Sequence, residues 1–177
     1  MDRRRVIRIT IVGLGVAAAL GLALAASAVA TKALFEGKQP AAAGGDVLAL
    51  SLAQAEDGSW ERLAVARAYY LGGQKEKGQS IIDSVMSGKL EASDCRRVLH
   101  IYGEAKEWNK VIPTAEKLAA LAPKDGTALA EAGAWTYLAG ERAKAEELFA
   151  RALAAEPKDI WVSVAIGGAY LGVAPLS

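Results

Sequence analysis

Between residues 126 and 159, small and apolar side chains recur at Leu129, Ala132, Gly133, Thr136 and Tyr137. They recur again at Ala145, Leu148, Phe149, Ala152 and Leu153. Each set follows the i, i+3, i+4, i+7 spacing of one helix face. Gly140 separates the two runs and Pro157 closes the second, so the segment predicts a helical hairpin.

The same pattern returns every 33 or 34 residues. A small-residue column reads Ala66, Leu99, Gly133, Gly167, and an aromatic column reads Tyr69, Tyr102, Thr136, Tyr170. The turn column is Gly73, Lys106, Gly140; the close-contact column of the second helix is Gly78, Val111, Ala145. Ile82, Ala115, Phe149 and Val85, Leu118, Ala152 are core columns, and Leu90, Pro123, Pro157 form the stop column. One helical pair cannot bury both its faces, whereas stacked pairs build a continuous core. The columns predict helices over about 60–71, 75–87, 93–105, 109–121, 127–139, 142–155 and 160–172. Pro113 falls near the first turn of its helix, where a missing N–H costs less.

Upstream, residues 9–30 contain no charge and follow Arg3, Arg4, Arg5 and Arg8. The run is long enough for a membrane helix of ~20 residues. Ala28-Val29-Ala30 also fits a small-x-small cleavage site. Residues 1–31 therefore read as a membrane anchor or, alternatively, a cleaved signal. The arginines hold the N-terminus in the cytoplasm in either case and send the rest across. DRRRVIR also looks like a twin-arginine export signal. Residues 32–58 read as a linker, with Pro40, Gly44 and Gly45, followed by one short helix capped by Asp46.

Composition narrows the function. Apolar residues make up 53% of the 177, enough for a core and too many for a disordered chain. Lys+Arg is 21 and Asp+Glu 20, and four arginines precede the apolar run, so no basic face for nucleic acid is implied. Cys95 and His100 are the single Cys and single His. They exclude an intrachain disulfide framework and the usual zinc sites. Five residues apart on one helix, they do not share a ridge as a nucleophile and base would. No glycine loop has phosphate-cradling form. The chain reads as no enzyme, with no catalytic residue, metal or cofactor.

Gly133, Tyr137, Gly140, Ala145, Phe149, Ala152 and Pro157 together resemble a tetratricopeptide repeat (TPR), and the resemblance covers residues 59–177. It implies an all-α, TPR-like helical-hairpin solenoid: three repeats over 59–91, 92–125 and 126–159, then a half repeat over 160–177, preceded by the N-terminal transmembrane or signal helix. In this family the first helix of each pair lines a groove. Carried over, those positions are Trp60, Leu63, Arg67 and Tyr70, then Arg96, His100 and Glu104, then Thr127, Ala134, Tyr137 and Leu138. The basic clamp that some members use for a peptide carboxylate is lacking, since Leu63 and Ala130 stand at its places. The groove would suit an amphipathic helix or an extended protein segment. Residues 160–177 carry no charge, and Trp161, Val164 and Leu171 make a C-terminal contact surface for a second protein, a copy of the chain or a membrane. The expected role is a protein-binding scaffold in envelope assembly or maturation: bacterial, single-pass in the inner membrane with the repeats periplasmic, or else cleaved and periplasmic. A permanent structural subunit of one membrane complex is the alternative.

Overall fold

A computed structural model of the chain describes residues 29–176. The described residues are all-α: eight α-helices, one 3-10 turn at Lys32–Leu34, and no strand. The helices are α1 (Pro40–Gln54), α2 (Ser59–Leu71), α3 (Lys75–Met86), α4 (Ala92–Glu104), α5 (Trp108–Leu121), α6 (Gly126–Leu138), α7 (Arg142–Ala155) and α8 (Ile160–Tyr170). The seven helices expected from the columns end within two residues of their predicted bounds. Among the described residues no helix is long and apolar enough to cross a membrane. The charge-free run and its arginines lie almost wholly outside them.

The chain divides into two compact units, one up to Val65 and one from Ala66, with α2 running across the boundary. In the first unit the sequence reading needs correction. Residues 40–45 are not a linker; they are the first turns of α1. Pro40 takes the first helical position, where its fixed φ suits the helix and its missing N–H costs nothing. Asp46, expected as the cap, lies inside the helix and holds Lys38 Nζ at 2.6 Å.

In the second unit α4 packs against α5 and α6 against α7, while α6 also meets α4, α5 and α8. Val98, Leu99, Val111, Ala115, Leu118 and Leu129 are buried in this core. Helix α6 begins on Asp125, whose carboxylate accepts from the Ala128 N–H at 2.8 Å. Asp159 caps α8 the same way, accepting from the Trp161 N–H at 2.6 Å. Each cap satisfies a donor that the first helical turn leaves free. Pro113 lies in the second turn of α5 instead of the first. It is exposed, so solvent can replace the hydrogen bond that it removes.

Candidate binding groove

Arg96, His100 and Glu104 are four residues apart and form one ridge of α4. Glu131 and Trp135 make a matching ridge on α6, continued at its cap by Asp125. The ridges meet. Arg96 Nη2 reaches Asp125 Oδ2 at 3.3 Å, and Arg96 Nε lies 3.3 Å from Glu131 Oε2. His100 Nε2 sits 3.1 Å from the same carboxylate oxygen. The His100 ring meets Trp135 edge to face at 5.6 Å. His100 and Glu131 are both buried. Burial makes an unpaired charge costly, and Arg96 supplies Glu131 with a charged partner at 3.3 Å.

Glu131 also borders an open cavity of about 360 Å³ between α6, α8 and the segment that follows α8. Its walls include Thr127, Trp161, Val164, Gly168 and Leu176. Trp161 is 56% exposed and Val164 47%. The result is an apolar slot with one carboxylate at its edge. No protein-family model, curated protein or solved structure matches the chain.

The other residues carried over from the repeat resemblance go elsewhere. Arg67 forms a two-pronged ion pair with Glu104, its Nε 3.0 Å from Oε1. That partner raises the Arg67 pKa further above its ordinary value. Tyr70 is 2% exposed and belongs to the core. Its hydroxyl accepts from Lys110 Nζ at 2.8 Å, and its ring meets Tyr102 edge to face at 5.8 Å. Burial is the largest single influence and works against the Lys110 charge, but the hydrogen bond to Tyr70 together with the electrostatic pull of Tyr70, Tyr102 and Glu107 outweighs it, and the pKa of Lys110 is raised. Tyr137 stacks with Tyr170 at 4.8 Å and Phe149 at 6.4 Å, on the α7 and α8 side of its helix. Ala134 is buried beside Phe149 and Ala169, and Leu138 is half-buried. In the first unit Leu63 is buried, whereas Trp60 is 58% exposed and borders a shallow hollow with Leu48 and Ala64.

Asp125, Glu131 and Trp135 are site residues that the sequence reading passed over. A signal existed. A capping Asp followed by Glu131 and Trp135 at i, i+4 is a ridge able to face Arg96 and His100 one repeat earlier. Cys95 is turned toward α5, its Sγ 3.5 Å from the Thr114 carbonyl oxygen, while His100 is turned toward α6.

Proposed function

We propose that the chain is a non-enzymatic, protein-binding scaffold whose residues 59–177 form a TPR-like solenoid. The N-terminal segment 1–31 anchors it in the inner membrane, or is cleaved on export, and the repeats lie outside the cytoplasm. The partner segment is an amphipathic helix or extended strand of a client protein. No cofactor or nucleic acid takes part. One observation carries the reading: the slot between α6 and α8 combines exposed Trp161 and Val164 with a carboxylate at its edge, Glu131, that Arg96 pairs from behind. Apolar burial supplies affinity at such a site, and rim charge sets register. Aromatic and arginine side chains are the residue types most often decisive in protein interfaces.

The turn column supports the repeat half of the reading. Gly73, Lys106 and Gly140 all take positive φ, at 86°, 56° and 94°. A reading as a permanent structural subunit draws support from α8, which carries no charge on any face.

Affinity capture from detergent-solubilised membranes tests the proposal. Wild type should retain a client in substoichiometric, exchanging amounts. Trp161→Ala should weaken retention by about 2 kcal/mol, roughly 30-fold. Arg96→Ala should alter which client is kept. Unchanged retention by both variants overturns the groove assignment. One stoichiometric, non-exchanging membrane partner supports the structural subunit instead.

A further inference from the structure

The two helices that wall the slot differ in chemistry. Thr127 and Glu131, one turn apart, line it from α6, while Trp161, Val164 and Gly168 line it from one face of α8. Glu131 is only half provided for. Arg96 Nε at 3.3 Å and His100 Nε2 at 3.1 Å both approach Oε2. Oε1 accepts no hydrogen bond from any described residue. Arg96 Nε, His100 Nδ1 and Trp135 Nε1 are unpaired and cut off from solvent, whereas Oε1 keeps solvent contact. The charge is incomplete as well. Arg96 divides its single charge between Asp125 and Glu131. His100 adds none while its ring is neutral, and a charged ring would bury a second N–H at Nδ1 without an acceptor. Two carboxylates around one guanidinium leave a unit of negative charge uncompensated.

We propose that the slot receives a lysine side chain of the client segment, its methylene stem along Trp161 and Val164 and its ammonium at Glu131 Oε1. The proposal rests on the client-binding reading of the slot and deepens it by naming the side chain that docks. An apolar wall beside one free carboxylate oxygen is the complement of an apolar stem with a cationic head. Other occupants match it less well. An aliphatic side chain would strip water from Oε1 and offer no donor in exchange. An acidic one would set a second negative charge against Glu131. A guanidinium gains its advantage from two parallel N–H bonds to both oxygens of a carboxylate, and here Oε2 is already taken by His100. A lysine ammonium is a point charge that needs a single oxygen. Bound there, it also supplies the positive charge that Arg96 cannot give to two carboxylates at once.

The test uses the full-length chain in a non-ionic detergent and two small probes. One is N-acetyl-lysine methylamide; the other is N-acetylnorleucine methylamide, which keeps the stem and lacks the ammonium. Saturation-transfer NMR titrations read the affinity of each. The lysine probe should bind tighter by about tenfold or more, because it alone brings a charged donor to Glu131. Glu131→Gln should bring the two probes to within about twofold of each other, the charge of the acceptor being gone, with helix content unchanged. Trp161→Ala, at an exposed position, should weaken both probes by the same factor. That variant locates the site even if Glu131→Gln does not fold. No preference for the lysine probe in wild type, a preference that survives Glu131→Gln, or lysine binding untouched by Trp161→Ala overturns the proposal. Client capture separates it from the reading on which it rests. If the lysine preference is missing but Trp161→Ala still loses the captured client, the client slot stands and the lysine falls. If capture is also unchanged, both fall.

Discussion

Cys95 is fully buried on α4, and burial pushes its thiol from an ordinary 9.0 up to about 11, with the nearby Lys117 charge opposing the rise. The folded chain keeps a proton that the unfolded chain releases. This contribution is therefore complete below pH 9 and is lost as pH rises through 11. We expect the unfolding free energy from urea titrations to fall across that window, by up to about 1.4 kcal/mol per pH unit from this thiol. Burial also raises the Tyr102 hydroxyl, against the Gln79 hydrogen bond that lowers it, and that adds slope of the same sign. The deciding measurement is thus the difference between wild type and Cys95→Ala, which should show the shallower fall. Equal slopes would mean that the thiol ionises freely in the folded chain. His100 is buried on the same helix. Its Nε2 is held at Glu131 while Nδ1 has no hydrogen-bond partner.

At the scale of elements, the turns explain how the helices end. The Gln74, Glu107 and Glu141 N–H groups donate to the carbonyl oxygens of Tyr69, Tyr102 and Thr136 at 2.8, 2.9 and 3.1 Å. Each closes the helix over a residue with positive φ, the usual glycine-favouring exit. Gly73 and Gly140 adopt that conformation without a Cβ; Lys106, at φ 56°, carries one. We therefore expect Lys106→Gly to raise stability by about 0.5–1 kcal/mol, the relieved strain exceeding the added freedom of the unfolded chain. Chemical denaturation measures it, and a loss of stability would show that the lysine side chain contributes more than its backbone strain costs. Helix α8 leaves by a similar turn at Gly172, φ 74°, with the Val173 N–H donating to the Gly168 carbonyl at 2.8 Å. That turn comes two residues early in the repeat register, which is why α8 stops at Tyr170 and leaves Leu171 outside.

For the whole molecule, the proposed topology makes a direct statement. If Arg3, Arg4, Arg5 and Arg8 keep the N-terminus inside, as proposed, a reporter fused after Ser177 that works only in the cytoplasm should be silent. The same fusion with those four arginines changed to glutamate should become active. A strong signal from the unmodified fusion would reverse the orientation. Mass spectrometry of the mature chain separates the two fates of the segment: a start at Thr31 means cleavage, and an intact N-terminus means an anchor.

Seven helices and three of their turns were legible because their causes are local. Apolar period, glycine and proline act within a few residues of where they stand. The exception, residues 40–45, shows the limit of local reading: a run of Ala and Gly after Pro40 reads as a linker, yet Pro40 at the first helical position starts α1. The site was legible in part. Arg96 and His100 were named as groove positions through the repeat resemblance, but their partners Asp125 and Glu131 lie about 30 residues away. Tyr70, by its spacing on α2, could face a groove or the core. Its place was set by Lys110 and Tyr102 on other helices. The sequence alone determined which stretches are helical and where they turn, because backbone hydrogen bonds and φ preferences are short-range. Only the tertiary structure decided which face of each helix met which neighbour. A rotation of one residue along a helix moves a side chain by about 100°, and only the packing of whole helices selects among those directions.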